Sequence, residues 1–246
     1  MLPHQFVLAP YNDIDKTRQA LDSEVGAIIV ELMQGAGGMI PATREFLSFL
    51  REEATRIGAV LIFDEVVTAR TNYSGLQGYH NIVPDMTTLG KFIGGGLAFG
   101  AYGGRRDIMD TLDTRRGAGS LHHSGTWHNN IFTMSAGLAA MNLLSQDNIE
   151  RTNRLGVQLR KGLDEILNAD NPNTAIVRGH GSLVGIRFNG PDSAILMSAF
   201  YFYLLTHKIY SGHRGFLCLN IMHQESHIIE ILEAAKSFAR EVVVKL

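Results

Sequence analysis

An acidic pair and a lysine set among glycines are the residues of this sequence whose types and spacing best suit chemistry. Asp64 and Glu65 directly follow the apolar run 59–63, and Lys91 stands 27 residues after Asp64, beside glycines at 90 and 94–96. A lysine in an apolar, glycine-lined turn is suited to forming an imine with an aldehyde, because burial favours the neutral, nucleophilic amine. The pattern predicts a covalent attachment site with a carboxylate nearby.

The glycines around this lysine do not match a nucleotide-binding motif. A P-loop needs a glycine five residues before its Gly-Lys pair, where this chain has Asp85, and Ser or Thr after the lysine, where it has Phe92. A GxGxxG pattern starting at Gly94 would place its third glycine on Phe99. The sequence therefore gives no support for nucleotide or dinucleotide binding here.

Pyridoxal phosphate is an aldehyde cofactor that such a lysine would hold. It also needs a carboxylate that keeps its ring nitrogen protonated, donors for its phosphate and contacts on its ring faces. Asp64 is the candidate carboxylate. A structural interpretation stays open, in which Asp64 and Glu65 are a strand-end acidic pair or a helix cap. The glycines at 94–96 are also typical of positive φ and close backbone approach.

The elements that must position these residues follow from apolar periodicity. The β-branched runs 26–33 and 59–63 are typical of buried parallel strands. Between them, apolar side chains at helical spacing predict an amphipathic helix; they are Phe46, Leu47, Leu50, Ala54 and Ile57. Such a unit packs its helix on a parallel sheet, and ligands bind at the carboxyl ends of the strands. Asp64 is expected at that edge.

The rest of the chain alternates helices and strands in a similar way. Helices are expected over 130–144, 148–167, 193–205 and 225–243, and strands over 183–188 and 215–220. We therefore expect an α/β fold of two domains. Residues 1–150 would form part of a larger domain with a mainly parallel sheet, and residues 151–246 a smaller α/β domain.

Composition excludes several classes of protein. The 246 residues carry 22 Lys and Arg against 24 Asp and Glu, so no basic excess exists to neutralise nucleic acid. The single cysteine, Cys218, allows no intrachain disulfide and fits a reducing compartment. The opening residues 1–10 lack an export signal, and no run has the length of a membrane helix. We expect a cytoplasmic protein without nucleic-acid or membrane partners.

Three histidines lie close together in the sequence, at His122, His123 and His128. No carboxylate stands at the HExxH spacing beside them. We interpret them as a polar loop and predict no metal site.

Residues 61–104, LIFDEVVTARTNYSGLQGYHNIVPDMTTLGKFIGGGLAFGAYGG, resemble the core of the class III pyridoxal-phosphate aminotransferases. Within that family they are most similar to the glutamate-1-semialdehyde aminomutase-like branch. The similarity continues through RRDIM at 105–109 and HSGT at 123–126, and more loosely through the later part of the chain. The resemblance implies the type I fold of pyridoxal-phosphate transferases, and a reaction that moves an amino group.

The resemblance also implies a role for each matching residue. Lys91 would form the internal imine with pyridoxal phosphate and later move the proton, and Asp64 would pair with the ring nitrogen. Val66 would press on one face of the ring. Transamination, migration of the amino group within one molecule, racemisation and decarboxylation all stay open, because the cofactor stabilises any adjacent carbanion.

Three further positions follow from the same family. Thr126 would bind the cofactor phosphate of the neighbouring subunit, which implies a homodimer. Glu31 and Gln34 would lie beside the site. The partners would be an amino donor, such as an amino acid or amino-ketone, and a carbonyl acceptor.

The sequence also departs from the family pattern. Leu32 replaces the usual proline, Ala36 stands where ornithine-type relatives carry a gating glutamate, and residues 69–71 replace Gly-Phe-Arg. These changes leave the substrate undefined. The family's early segment, with its phosphate-capping turn and stacking aromatic, has no counterpart, so the chain is expected to be the carboxyl-terminal portion of such an enzyme. The alternative is a truncated, catalytically impaired relative that acts as a binding or interaction protein.

Overall fold

A computed structural model describes residues 5–243 and divides them into two compact units. The first unit contains the described residues up to Leu32, with Ala42–Arg70 and Ser74–Leu143; the second contains Met33–Pro41, Thr71–Tyr73 and the described residues from Leu144 onward. The predicted domains, 1–150 and 151–246, include residues 1–4 and 244–246, which lie outside the described residues. The start of the segment 1–10, in which no export signal was found, also lies outside them. Met33–Pro41 and Thr71–Tyr73 therefore belong with the later half of the chain. The apolar periodicity of the sequence does not indicate this grouping.

The first unit is built around a sheet of four strands, β1 (Ala27–Glu31), β4 (Val60–Asp64), β5 (Met86–Gly90) and β6 (Gly100–Gly104). Their order in the sheet is β1-β4-β5-β6. Its helices are α1 (Ile14–Ala20), α2 (Arg44–Ile57), α3 (Gly75–His80), α4 (Arg106–Met109) and α5 (Ile131–Leu143). β1, β4 and β5 are parallel and β6 is antiparallel to β5, so the mainly parallel sheet is confirmed.

Helix α2 begins and ends where its sequence dictates. Thr43 accepts a hydrogen bond from the Phe46 backbone N–H at 3.1 Å, and Gly58 closes the helix in the left-handed conformation. The buried face carries the predicted apolar stripe, which includes Phe46, Leu47, Leu50 and Ala54. Because α2 joins two parallel strands that pair directly, β1 and β4, it is the expected crossover.

Asp85 fastens the amino end of β5 to the surrounding elements. Its carboxylate accepts hydrogen bonds from the Leu61 backbone N–H at 2.8 Å, from Arg51 at 2.9 Å and from Arg105 at 2.9 Å. Burial alone would raise the pKa of this carboxyl, but these three hydrogen bonds outweigh it and hold the pKa below its ordinary value. The fixed end of β5 sets the register that places Lys91 at the opposite end.

The second unit combines a three-stranded antiparallel sheet with three helices. The sheet has the order β7-β8-β9, formed by β7 (Ala175–Arg178), β8 (Leu183–Phe188) and β9 (Phe216–Cys218). The helices are α6 (Gln146–Leu167), α7 (Ser193–Thr206) and α8 (Glu225–Glu241). Their apolar faces enclose one core with Phe188, Phe200 and Phe238 in mutual ring contact.

The predicted strand over 26–33 is wrong in its extent. β1 ends at Glu31, and the chain continues into β2 (Met33–Gln34), which pairs antiparallel with β3 (Ile40–Pro41) in a separate sheet of the second unit. An apolar run alone does not reveal where hydrogen bonding changes from one sheet to another. Within residues 5–243, no helix has both the length and the apolar character needed to cross a membrane.

Candidate active site

The carboxyl-terminal edge of the first unit's sheet carries a row of polar side chains. Glu31 is paired in register with Asp64, Asp64 with Thr88, and Thr88 with Tyr102. Neighbouring strands lie ~4.8 Å apart, and residues in register project to the same face of a sheet. Four strands therefore present one row, in which Asp64 stands between a carboxylate and a hydroxyl.

Asp64 is held in place through one of its two carboxylate oxygens. Oδ1 accepts hydrogen bonds from the Val66 backbone N–H at 3.0 Å and from the Thr88 hydroxyl at 3.1 Å. Oδ2 accepts no hydrogen bond from any residue between 5 and 243. The carboxylate is thus oriented by the fold and keeps one oxygen for an N–H donor of a ligand.

Lys91 follows the last residue of β5, at the same edge of the sheet as Asp64. Its φ of 52° lies in the left-handed region, where a residue with a side chain is strained by roughly 1–2 kcal/mol. Strain of this kind is concentrated at functional sites, where surrounding packing maintains it. The Lys91 side chain is exposed, so the expectation that an apolar turn buries its amine is wrong for the described chain.

The glycines beyond Lys91 explain how the strained turn is maintained. A Cβ on Gly95 would lie 2.2 Å from the carbonyl oxygen of Ala136 in α5, and Gly95 itself has a φ of 61°. Only glycine allows both this conformation and this approach. Gly95 therefore serves backbone packing of α5 against the turn, which is the structural interpretation left open by the sequence.

Val66 lies against the backbone just before the lysine. A Cβ on Gly90 would lie 3.3 Å from Cγ1 and 3.5 Å from Cγ2 of Val66. The half-buried Val66 thus occupies the space beside the Cα of Gly90, next to Lys91. It can offer an apolar surface to a ring bound at this edge.

Glu65, the second member of the acidic pair, points away from this row and is buried among hydrogen-bond donors. It is 0% exposed and accepts hydrogen bonds from the Thr68 hydroxyl and from the backbone N–H groups of Leu76 and Gln77, each at 2.8 Å. Leu76 and Gln77 lie in the first turn of α3, so Glu65 caps that helix from a distance. Gly75 allows this contact, because a Cβ there would lie 2.5 Å from Oε1 of Glu65. The cap interpretation therefore holds for Glu65.

Burial raises the pKa of the Glu65 carboxyl above its ordinary value. The three hydrogen bonds oppose this rise and the nearby Asp64 charge adds to it, and the pKa stays raised. Between its ordinary pKa and the raised one, the folded state binds more protons than the unfolded state, so the contribution of Glu65 to stability falls as pH rises. Glu65→Ala leaves buried donors unpaired and is expected to lower the free energy of unfolding by about 2–4 kcal/mol. The loss should be larger below this pH window than above it.

Urea denaturation of the wild type and of Glu65→Ala, at one pH on each side of the window, measures this effect. Glu52→Ala is the matched control, because Glu52 is an exposed carboxylate of α2. It should change the free energy of unfolding little at either pH. A loss in Glu65→Ala that grows as pH rises would contradict the expectation.

Comparison with known proteins shows the family. The profile described as Aminotransferase class-III matches residues 5–209. The chain belongs to the class-III aminotransferases. This aminotransferase chain is 39% identical to the beta-phenylalanine transaminase of Variovorax paradoxus, over 96% of this chain and 57% of that protein. It is 34% identical to a glutamate-1-semialdehyde 2,1-aminomutase of Clostridium kluyveri, over 94% of this chain and 58% of that protein.

Solved structures of relatives confirm the fold of this class-III aminotransferase chain. It superposes on the beta-phenylalanine aminotransferase of Variovorax paradoxus with a TM-score of 0.91 at 37% identity, over 99% of this chain and 59% of that one. It superposes on a transaminase with PLP bound with a TM-score of 0.92 at 31% identity, over 97% and 58%. The chain thus spans a little over half the length of these relatives.

The residues at the sheet edge of the aminotransferase chain fit pyridoxal phosphate. The exposed Lys91 supplies an amine that an aldehyde can reach, Asp64 keeps Oδ2 open for the protonated ring nitrogen, and Val66 offers an apolar contact. These are the covalent anchor, the counter-charge and the ring contact that this cofactor requires. The phosphate is the remaining requirement; Thr126, which is exposed, stays the predicted donor to the phosphate of a neighbouring subunit.

The predicted site residues fall into two groups. Lys91, Asp64, Val66 and Glu31 all lie at the carboxyl-terminal edge of the first sheet. Thr126 lies in an exposed part of the same unit, whereas Gln34 lies on β2 in the second unit. Residues 5–243 contain no group of three or more His, Cys, Asp or Glu arranged to hold a metal ion.

Thr88 is a candidate site residue that the sequence pattern did not indicate. Its hydroxyl donates to Asp64, and only the pairing of β4 with β5 brings the two together across 24 residues. The one local signal is that Thr88 lies three residues before Lys91 in the sequence. Tyr102 was missed for the same reason, since β6 joins the sheet only through pairing.

Proposed function

We propose that this chain supplies the lysine and carboxylate of a pyridoxal-phosphate-dependent site that transfers an amino group. The observation that carries the proposal is the one-sided anchoring of Asp64, whose Oδ2 stays open at the edge where Lys91 stands. The family membership supports the same reaction class. The relative solved with PLP bound, at 31% identity, supports the choice of cofactor.

Each residue has a distinct task in this proposal. Lys91 would hold the cofactor through Nζ, and its free amine would take up and return the proton at the substrate carbon. Asp64 accepts an N–H hydrogen bond at Oδ2 and supplies the negative charge that keeps the ring nitrogen protonated. Thr88 and the Val66 N–H keep the other oxygen occupied, so the carboxylate does not rotate away. The bound cofactor withdraws electrons from the substrate carbon that carries the amino group.

Two versions of the reaction fit these residues. Relatives of this chain include a transaminase and an aminomutase, at 39% and 34% identity. Lys91 and Asp64 serve both, because each reaction moves a proton beside the same electron-withdrawing ring. The substrate is an amino acid or amino-ketone, and transfer to a separate carbonyl acceptor is the version favoured by the relative with higher identity.

We also infer that the working form is a homodimer. Helix α5 exposes large apolar side chains, with Ile131 71%, Phe132 75% and Leu138 65% exposed. Several large apolar side chains exposed on one helix are typical of a surface that another protein surface covers. Thr126, which would reach the phosphate in a neighbouring subunit, is exposed in the same unit. The cytoplasmic location expected from the sequence stays a prediction.

A screen of amino donors and carbonyl acceptors with added pyridoxal phosphate tests the proposed function. The expected result is cofactor-dependent loss of donor amine with equal gain of amine on the acceptor, or an isomeric amine when no acceptor is needed. Chain without added cofactor is the control. Cofactor binding with no amine movement for any donor would favour the impaired relative that acts as a binding or interaction protein.

A further inference from the structure

Helix α7 of the second unit is apolar on its outer face as well as on its inner one. Its sequence, SAILMSAFYFYLLT, has no charged side chain in 14 residues. Leu196, Phe200 and Leu204 are buried in the core of the unit. On the opposite side of the helix, Ile195 is 66% and Phe202 60% exposed. Because a helix that is hydrophobic all round is normally buried on every side, we expect the outer face of α7 to be covered in the assembled protein.

Four side chains form the outer stripe of α7. They are Ile195, Ser198, Phe202 and Leu205, of which Ser198 and Leu205 are half-buried. Their spacings of three, four and three residues are those of the a and d positions of a coiled coil, whose side chains insert between those of a facing helix. The positions beside the stripe are also uncharged; they are Ala194, Ala199, Tyr201 and Thr206. The spacing therefore predicts a second helix as the covering element.

The outer stripe is complementary to itself when two copies of α7 run antiparallel. About a twofold axis level with Phe200, Ser198 of one copy lies opposite Phe202 of the other, and Ile195 lies opposite Leu205. The large ring of Phe202 thus meets a small side chain, which leaves space for it. We propose that a second copy of this chain docks on the outer stripe, with the two α7 helices antiparallel.

The charges at the two ends of α7 favour this direction. Asp192 precedes the helix and Lys208 lies just beyond its end, and both are exposed. Their side chains form no ion pair or hydrogen bond with residues 5–243. Antiparallel copies bring Asp192 of one chain to the same end as Lys208 of the other, whereas parallel copies would bring like charges together. Antiparallel helix dipoles also attract.

The outer stripe is separate from the apolar surface on α5, because α7 belongs to the second unit and α5 to the first. Docking through α7 therefore doubles the mass of the species that forms without it, whether that species is a single chain or a dimer. Two facing helices of 14 residues are each about 21 Å long, which is a small interface. Association through it is expected to be reversible and to depend on concentration.

Sedimentation velocity of the full 246-residue chain over a range of concentrations tests the proposal. The wild type should shift, as concentration rises, to a species of twice the mass. Phe202→Glu and Ile195→Glu should each weaken this step at least about tenfold, because each places a charge in an apolar contact twice. Ile229→Glu is the matched control, since Ile229 is a 51% exposed isoleucine of α8 outside the stripe. It should leave the doubling step unchanged.

Charge reversal at the helix ends tests the antiparallel direction. At low ionic strength, Asp192→Lys and Lys208→Asp should each weaken the doubling step about threefold or more. The double variant should restore it, because each end again combines opposite charges. In a parallel pair like charges would remain together in every variant, so single reversals without effect would overturn the proposed arrangement.

Three other results would overturn the docking itself. They are a wild type with the mass of Phe202→Glu at every concentration, a mass unchanged by both stripe variants, and an equal loss in Ile229→Glu. A wild type that does not double but binds phosphatidylcholine vesicles, with binding lost in Phe202→Glu, would overturn the proposal in favour of a lipid surface. None of these measurements needs cofactor or turnover, so the proposed function stands or falls separately.

Discussion

Replacing Lys91 with alanine is expected to abolish covalent attachment of pyridoxal phosphate. Lys91 is the lysine at the edge where Asp64 stands, and packing of α5 maintains its left-handed backbone at a φ of 52°. Alanine keeps the backbone and removes the amine, so the cofactor loses its anchor. Borohydride reduction followed by peptide mapping should find the adduct on the Lys91 peptide of the wild type and no adduct in the variant.

Lys208→Ala is the matched control for this experiment. Lys208 is also an exposed lysine with positive φ, at 61°, but it follows α7 in the second unit. Both substitutions therefore carry the same kind of backbone strain, and only one removes the proposed anchor. The Lys208 variant should label as the wild type does. An adduct on Lys208 or Lys161 that persists in Lys91→Ala would show that the anchor is elsewhere.

Asp64→Asn is expected to reduce turnover by about 10²–10³-fold while the cofactor still attaches. Asparagine retains an oxygen for the Val66 N–H and the Thr88 hydroxyl, so the local fold is preserved. It removes the charge that keeps the ring nitrogen protonated and places an amide NH2 at the position of Oδ2. Loss of one preorganised electrostatic partner costs about 2.7–4 kcal/mol, at ~1.36 kcal/mol per tenfold.

Two measurements separate this electrostatic role from a structural one. Turnover is measured in Asp64→Asn and in Thr88→Val, and nitrogen NMR reports the protonation state of the cofactor ring nitrogen in each. That protonation state should change in Asp64→Asn and not in Thr88→Val. Thr88→Val removes the supporting hydroxyl and leaves the charge, so its loss should not exceed about 1.5 kcal/mol, roughly tenfold. Near wild-type turnover in Asp64→Asn would reduce Asp64 to a strand-end cap.

The longer helices were the most predictable part of the fold, whereas the short helices α1, α3 and α4 were not predicted. α2, α5, α6, α7 and α8 lie within a few residues of their expected ranges, because each carries local signals in its apolar periodicity or at its ends. The strand ending at Asp64 was predicted for a similar reason, since an apolar run closes on an acidic pair. β5, β6 and β7 were not predicted, because their sequences are too polar, too rich in glycine or too short to be distinguished locally.

Residue types and their order along the chain are enough to predict which side chains would attach and polarise a cofactor. Lysine is the side chain suited to an aldehyde, aspartate the counter-charge for a ring nitrogen, and their types and order are properties of the chain alone. The different hydrogen-bond partners of the neighbouring carboxylates Asp64 and Glu65 follow only from the fold. Asp64 is the last residue of β4 and stays in the row with Thr88, whereas Glu65 follows the strand and turns inward to cap α3. Strand register and the positions of buried donors are long-range properties, and no local pattern contains them.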